Sequence, residues 1–216
     1  QRRLLTAGGV ANELILTEDW GLTDANAEVV AKRLKELSAE HEKIIVVSAS
    51  KGGLETAVAL GRVLKQEETT SIKAWVSVGG ILKGSPVADT YLHWPKCWKA
   101  EIGLLFVGKD IGTVQDVSYE KRASEFDGLM FPEHIKCVHF IGAPLTTQVH
   151  KRIRSHYCSI KEEFGPNDGI TPLADEVSTN GIIISELGLD HYYSSPDIDT
   201  KTIALALVVA GTETCR

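Results

Sequence analysis

The sequence lacks the features that mark several common protein classes. It contains no G-x-G-x-x-G turn, which dinucleotide-binding folds use to hold a pyrophosphate. No stretch approaches the roughly 20 apolar residues of a membrane helix, the best being 203–210. Lys and Arg total 23 against 29 Asp and Glu, a net charge of −6. We therefore expect a soluble chain with no membrane span, and no electrostatic footprint suggests a nucleic acid or an anionic membrane as partner.

Metal and disulfide patterns are also missing. The four cysteines are far apart and show no C-x-x-C spacing; they are Cys97, Cys137, Cys158 and Cys215. The histidine pairs match no ligand spacing for zinc. These absences predict reduced thiols, no metal and no cofactor, and they favour the cytoplasm. Gln1 is not an initiator methionine, as expected for a processed or truncated chain.

One basic cluster interrupts this acidic composition. It spans 150–156, where two histidines flank Lys151, Arg152 and Arg154. Such a cluster is more typical of a solvated helix face than of a phosphate site.

Strand-like and helix-like patterns alternate along most of the 216 residues. This alternation predicts an α/β fold, a mostly parallel sheet with helices on both faces. A helix should begin at Thr23 or Asp24 as its cap, and another should follow Gly53. A last helix should cover 200–210. The predicted strands are 14–17, 43–48, 74–79, 137–142 and 181–185.

Residues 82–134 break this rhythm. They contain seven large aromatic residues, a helical stretch near 118–126 and one strand-like run at 103–107. An excursion of this length is too long for a connecting loop. We therefore predict an inserted cap or lid at 82–134 and a core made of 1–81 and 135–216.

The first nine residues allow two interpretations. Residues 2–9 are typical of the last turn of a helix, with basic residues followed by Gly8 and Gly9. The alternative is a strand followed by a functional glycine turn. The helix interpretation implies a sheet that lacks its N-terminal strands.

Residues 48–53 carry the most informative motif, and it matches several enzyme classes. A short-chain dehydrogenase needs a tyrosine four residues before its lysine, but Val47 occupies that position. An S-x-x-K enzyme needs Ser48 and Lys51 on one helical turn, together with S-D-N and K-T-G elements that are absent here. The third match is a strand-to-helix elbow of the G-x-S-x-G kind, with Ser50 as nucleophile and Ser48 at the first glycine position.

Two later residues stand in the order that the elbow requires. Asp168 lies in a turn-rich loop downstream of the predicted strand 137–142, and His191 follows the last predicted strand. Nucleophile, acid and histidine therefore occur in the order Ser, Asp, His. Each also has a plain structural interpretation: Ser50 as a helix cap, Asp168 as a turn residue and His191 as a half-buried ring.

On these three positions the chain resembles the lipases and esterases of the α/β-hydrolase superfamily. The resemblance implies an α/β-hydrolase fold and cleavage of an ester through an acyl-enzyme intermediate. Ser50 would attack, His191 would act as base, Asp168 would hold His191, and the backbone N–H of Lys51 would be one oxyanion donor. We expect the Lys51 side chain to point to solvent. The second donor would come from a loop after an earlier strand, from Gly8-Gly9 or from a partner segment.

The expected partner is a small-molecule or lipid-like ester. A non-catalytic binding module of the same fold is the main alternative, and an NAD(P)-dependent short-chain dehydrogenase is a weaker one. The sequence leaves the substrate and the oligomeric state open.

Overall fold

The fold is built on a parallel sheet. The structure, a computed structural model, describes residues 1–93 and 110–211. Within these ranges the strands lie side by side in chain order, and all three neighbouring pairs are parallel. The strands are β1 Ile44–Ala49, β2 Ile72–Val78, β3 Lys136–Ala143 and β4 Ile182–Leu187.

Helices connect the strands and cover the sheet. The α-helices are α1 Arg2–Ala7, α2 Thr23–Glu40, α3 Lys51–Val58, α4 Pro86–Leu92, α5 Gly112–Asp116, α6 Tyr119–Asp127, α7 Arg154–Phe164 and α8 Ile198–Gly211. A π-turn at Ala59–Val63 extends α3, and short 3-10 turns occupy Gln66–Thr69 and Leu173–Asp175. Among the described residues, no helix has the length and apolar character needed to cross a bilayer.

Two apolar layers hold the helices to the sheet. Side chains alternate between the faces along each strand, so Trp75 and Cys137 pack with α2 and α3, whereas Val76 and Val138 pack with α8. Trp75 is fully buried and lies at the centre of the first layer. This arrangement confirms the predicted parallel sheet with helices on both faces.

Four of the five predicted strands are confirmed, and the predicted strand at 14–17 is wrong. Residues 14–17 form no strand in the structure. A strand persists only with a ladder partner; here Ile15 packs against the core, and the Thr17 hydroxyl donates a hydrogen bond to Glu55 on α3 instead. The apolar run at 14–17 correctly indicates that this segment contacts the core, but it contains no information on whether the segment pairs with another strand.

The N-terminal segment is helical, as the favoured interpretation predicted. Helix α1 spans Arg2–Ala7, and Gly8 and Gly9 follow it. The alternative of a strand before the glycine pair is therefore wrong.

The predicted cap of α2 is also wrong, because the capping group comes from elsewhere. Neither Thr23 nor Asp24 caps the helix through its side chain. Instead the Thr23 N–H donates to the Asp116 carboxylate at 2.6 Å, and Arg122 and Lys121 pair with the same carboxylate. Burial alone raises the pKa of Asp116, but the Thr23 and Lys121 hydrogen bonds outweigh it and lower the pKa to about 2.

Residues 82–134 contain α4, α5 and α6, and the predicted helix near 118–126 is confirmed as α6. Ser118 caps this helix by accepting a hydrogen bond from the Lys121 N–H. The strand-like run at 103–107 lies outside the described residues. The division into a core and a cap stays a prediction.

Candidate active site

Three side chains predicted from the sequence meet at the carboxyl edge of the sheet. Ser50 follows β1 directly, Asp168 lies in the loop after α7, and His191 follows β4. The Ser50 Oγ lies 2.9 Å from the His191 Nε2, and the His191 Nδ1 lies 2.5 Å from the Asp168 Oδ2. Because the carboxylate can only accept, Nδ1 carries the proton and leaves Nε2 free to accept from the Ser50 hydroxyl.

The Asp168 carboxylate is fully buried and fully engaged. Its Oδ1 accepts from the backbone N–H groups of Ile170 and Thr171, both at 2.8 Å, while Oδ2 faces His191. The Asp168 carbonyl also accepts from the His191 N–H at 2.9 Å. Both oxygens of the Asp168 carboxylate therefore have hydrogen-bond partners, which fix its orientation toward the His191 ring.

Asp190, the neighbour of His191 in sequence, has a different task. Its carboxylate accepts from the backbone N–H groups of His150 and Tyr192, at 2.6 and 3.1 Å. These bonds fasten the His191 loop to the loop after β3. Asp190 therefore supports the position of His191 without contacting its ring nitrogens.

Tyr193 anchors the same loop from below. Its ring lies where a side chain on Gly79 would be, since an added Cβ would come within 2.5 Å of the ring. Its hydroxyl donates to the Phe140 carbonyl, which also accepts from the Gly79 N–H. Burial raises the pKa of Tyr193, so it remains a neutral donor. No local sequence signal marks Tyr193 as an anchor, because its partners Gly79 and Phe140 are distant in the chain.

Another buried carboxyl lies close to Asp168. Glu176 is fully buried, and neither of its oxygens has a hydrogen-bond partner among the described residues. Burial raises the pKa of Glu176 well above its usual value, and the charges of Asp168 and Asp175 add to this effect. Burial therefore favours the uncharged form of Glu176, while Asp168 is the carboxylate in contact with the His191 ring.

A sharp backbone turn at Ser50 joins β1 to α3. Ser50 has φ 50° and ψ −125°, a conformation that costs on the order of 1–3 kcal/mol for a residue with a side chain. Surrounding bonds hold it there: the Ser50 N–H donates to the Val78 carbonyl, and the Ser50 carbonyl accepts from Gly53 and Ile81. The predicted elbow is present as a sharp strand-to-helix turn, except that α3 begins at Lys51, before the predicted start at Leu54.

Solved structures of ester hydrolases share this architecture. A metagenomic carboxyl esterase matches with a TM-score of 0.73 and 20% identity, over 95% of this chain and 66% of that one. A Bacillus licheniformis lipase in mature form matches with 0.64 and 19%, over 85% and 74%, and its propeptide form with 0.62 and 20%, over 79% and 37%. The chain has the α/β-hydrolase fold.

The match is one of structure and covers part of the larger proteins. This chain spans slightly less than two thirds of the length of the esterase. No protein-family model and no curated protein sequence matches it.

The Lys51 side chain does not point to solvent, and that prediction is wrong. Its Nζ donates to the Gly21 carbonyl at 2.5 Å and lies 3.1 Å from the Glu55 carboxylate. Glu55 is buried and also accepts from Asn26 on α2. A buried carboxylate needs such partners, so Lys51 serves the packing of α3 against α2.

The backbone N–H of Lys51 lies at the start of α3, directly after Ser50. Lys51 is the first residue of α3, so its N–H has no acceptor within the helix and points out of the helix N-terminus. Gly8 and Gly9 do not offer a second donor, because their N–H groups donate to Leu4 and Thr6 within the last turn of α1.

No metal centre accompanies these side chains. Among residues 1–93 and 110–211, no group of three or more His, Cys, Asp or Glu side chains could hold a metal ion. His139, the one histidine on a strand, is fully buried, and burial lowers its pKa to about 4. Its Nε2 lies within hydrogen-bond distance of the Ser178 side chain and backbone N–H.

The two glycines after Ser50 differ in the space around them, and this difference is testable. A Cβ on Gly53 would lie 2.8 Å from the Gly80 backbone, whereas a Cβ on Gly52 meets nothing closer than 4.0 Å. Gly53→Ala should therefore lower the free energy of unfolding by about 1–3 kcal/mol, because backbone must move to admit the methyl group. Gly52→Ala, the control, should be neutral or slightly stabilising. Urea unfolding of both variants measures the difference, and equal losses would contradict the packing described.

Proposed function

We propose that this protein is a serine hydrolase that cleaves carboxylic esters through an acyl-enzyme intermediate. The observation that carries the proposal is the continuous hydrogen-bonded series from Ser50 through His191 to Asp168. A serine hydroxyl is a poor nucleophile at neutral pH until a base removes its proton. The neutral Nε2 of His191 faces that hydroxyl, so the base is already in contact with the nucleophile.

The chemistry proposed for each group follows from its contacts. His191 takes the Ser50 proton as Oγ attacks the ester carbonyl, and Asp168 stabilises the imidazolium that forms. The Lys51 N–H at the start of α3 stabilises the oxyanion. His191 then returns the proton to the departing alcohol. A water activated by the same ring hydrolyses the acyl-Ser50 ester and restores the enzyme.

Structural neighbours support the choice of esters. The two proteins compared above are a carboxyl esterase and a lipase, both of which act on carboxylic esters by name. A small-molecule or lipid-like ester is therefore the proposed substrate class. The positive φ of Ser50 supports the assignment of Ser50 as the nucleophile, because strained backbone of this kind is typical of the strand-to-helix turn that presents a catalytic serine.

Removing the nucleophile tests the proposal directly. Ser50→Ala should lower kcat/KM for p-nitrophenyl butyrate by at least about 10⁴-fold, since the acyl-enzyme can no longer form. Ser124→Ala, an exposed serine on α6, is the matched control and should retain the wild-type rate. A Ser50→Ala rate within tenfold of wild type would contradict the proposal, as would a folded wild-type chain with no esterase activity.

The two neighbouring aspartates give a second, sharper test. Asp168→Asn should lower kcat by about 10³–10⁴-fold, because an amide can stabilise neither the required tautomer nor the imidazolium. Asp190→Asn should cost less than about tenfold in kcat, since Asp190 only bonds backbone N–H groups. Steady-state kinetics at pH 7–8 on folded variants measures both. Equal losses of kcat in the two variants would show that the Asp168–His191 contact does not contribute to catalysis, and would contradict the proposal.

A further inference from the structure

The loops next to His191 carry a positive charge that the whole-chain composition conceals. The 18 residues from 144 to 161 contain four of the 23 Lys and Arg and none of the 29 Asp and Glu. Lys151, Arg152 and Arg154 are exposed, and no ion pair to any of them occurs within the described residues. Only the end of this basic cluster is helical, since α7 begins at Arg154. A solvated helix face therefore describes the cluster incompletely.

Large apolar side chains project from the same loops. Leu145 is 68% exposed in the loop after β3, Leu187 is 83% exposed at the end of β4, and Tyr192 beside His191 is 47% exposed. Single exposed leucines are ordinary on protein surfaces. Leu187 and Tyr192 flank His191 in the chain, and Leu145 lies in the loop after β3, which Asp190 bonds through His150. Exposed apolar side chains grouped in this way mark interaction surfaces.

Backbone hydrogen bonds and a ring contact join these residues into one face. The Gly188 N–H donates to the Ala143 carbonyl, which places Leu187 beside the chain that leads to Leu145. The Leu145 N–H in turn donates to the Gln148 side chain. The ring of His150 meets the ring of Tyr192 edge to face, with 5.2 Å between the centroids.

The basic residues extend this face without a break. Lys151 and Arg152 follow His150 directly, and the Arg152 N–H lies 3.3 Å from the His150 Nδ1. We call the exposed residues Leu145, His150, Lys151, Arg152, Leu187 and Tyr192 the rim. His191 lies between Tyr192 and the His150-bound Asp190, so the rim borders the candidate active site.

We propose that the rim docks this protein on a bilayer of anionic phospholipid. Lys151 and Arg152 would pair with anionic headgroups, while Leu145 and Leu187 enter the boundary between headgroups and acyl chains. Tyr192 has the apolar ring and polar hydroxyl that suit this boundary. The net charge of −6 repels the remaining surface from such a bilayer, so the charge distribution turns the rim toward the lipid.

The apolar members of the rim distinguish a bilayer from a nucleic acid. A phosphate backbone would use Lys151 and Arg152 but would leave Leu145 and Leu187 without a partner. A bilayer uses both kinds of side chain. The inference rests on the proposed function for its purpose, since it states where a lipid ester would approach Ser50, but docking can be measured without hydrolysis.

The test uses the full chain carrying Ser50→Ala, so that vesicles stay intact and binding is separate from catalysis. Co-sedimentation with vesicles of phosphatidylcholine and phosphatidylglycerol in equal amounts should show at least about tenfold higher affinity than with phosphatidylcholine alone. Raising the salt from about 0.1 to about 0.5 M should remove most of this difference. Equal binding to both vesicles, or no binding to either, would overturn the proposal.

Rim variants in the same background locate the surface. Lys151→Glu/Arg152→Glu should bind the anionic vesicles at least about tenfold more weakly, because two attractive charges become repulsive. The control Lys65→Glu/Lys73→Glu changes the net charge by the same amount at residues outside the rim. Lys73 lies at the start of β2 and Lys65 precedes that strand, so this variant should bind the vesicles within about twofold of the parent. Equal losses for both pairs would show an effect of net charge alone and would overturn the proposal.

The apolar residues need a separate variant. Leu145→Ser/Leu187→Ser should also weaken vesicle binding by at least about fivefold, and unchanged binding would contradict insertion into the bilayer. Far-ultraviolet circular dichroism verifies folding of every variant, and Lys151→Gln/Arg152→Gln replaces the charge reversal if that variant does not fold. Ester hydrolysis by the chain with Ser50 intact tests the proposed function independently: activity without docking would overturn only the rim, and docking without activity only the hydrolase.

Discussion

The structure depends on a single tight turn, in which β1 becomes α3 at Ser50. The left-handed backbone of Ser50 is unfavourable in isolation, and it is maintained by bonds to the neighbouring strand β2 and to the chain beyond it. The turn can close only because Gly53 touches the Gly80 backbone, where no side chain fits on either residue. From this turn follow the exposure of the Ser50 hydroxyl and the direction of the Lys51 N–H. The four strands pair in parallel in the order β1, β2, β3, β4, and this order brings the loops that carry Asp168 and His191 to the same carboxyl edge of the sheet as Ser50.

Three buried carboxyls near this edge show how environment divides one chemical group into several roles. Asp168 accepts hydrogen bonds from two backbone N–H groups and contacts the His191 ring. Asp190 receives two other backbone N–H groups and fixes the loop. Glu176 has no hydrogen-bond partner among the described residues, and burial raises its pKa and so favours its uncharged form. Of these three carboxyls, Asp168 contacts the His191 ring, and we therefore propose that it stabilises the imidazolium.

The sequence predicts the elements that depend on local patterns and misses those that depend on distant partners. The β-branched run at 44–47 marks β1, and the order of Ser50, Asp168 and His191 along the chain places them on successive loops of a parallel sheet. Residues 14–17 have a similar pattern, but no local signal reveals whether a strand finds a ladder partner. The N-terminus of α2 is capped by Asp116, 93 residues away from Thr23. No local capping rule can identify such a group.

The net charge of the sequence likewise does not predict the local charge of the surface near His191. A net charge of −6 argues against an anionic partner for the molecule as a whole, yet the loops beside His191 carry cations and no acids between 144 and 161. Folding brings this segment next to Leu187 and Tyr192. The amino-acid composition gives no information on where on the surface these residues lie.

The central claim is that Ser50 is a nucleophile activated by His191, and covalent labelling tests it most directly. Wild-type protein is treated with a fluorophosphonate, and the modified peptide is sequenced by mass spectrometry. The account predicts one adduct per chain, on Ser50, and no adduct after Ser50→Ala or after heat unfolding. A folded chain that remains unlabelled, or an adduct on another residue with Ser50 free, would contradict it.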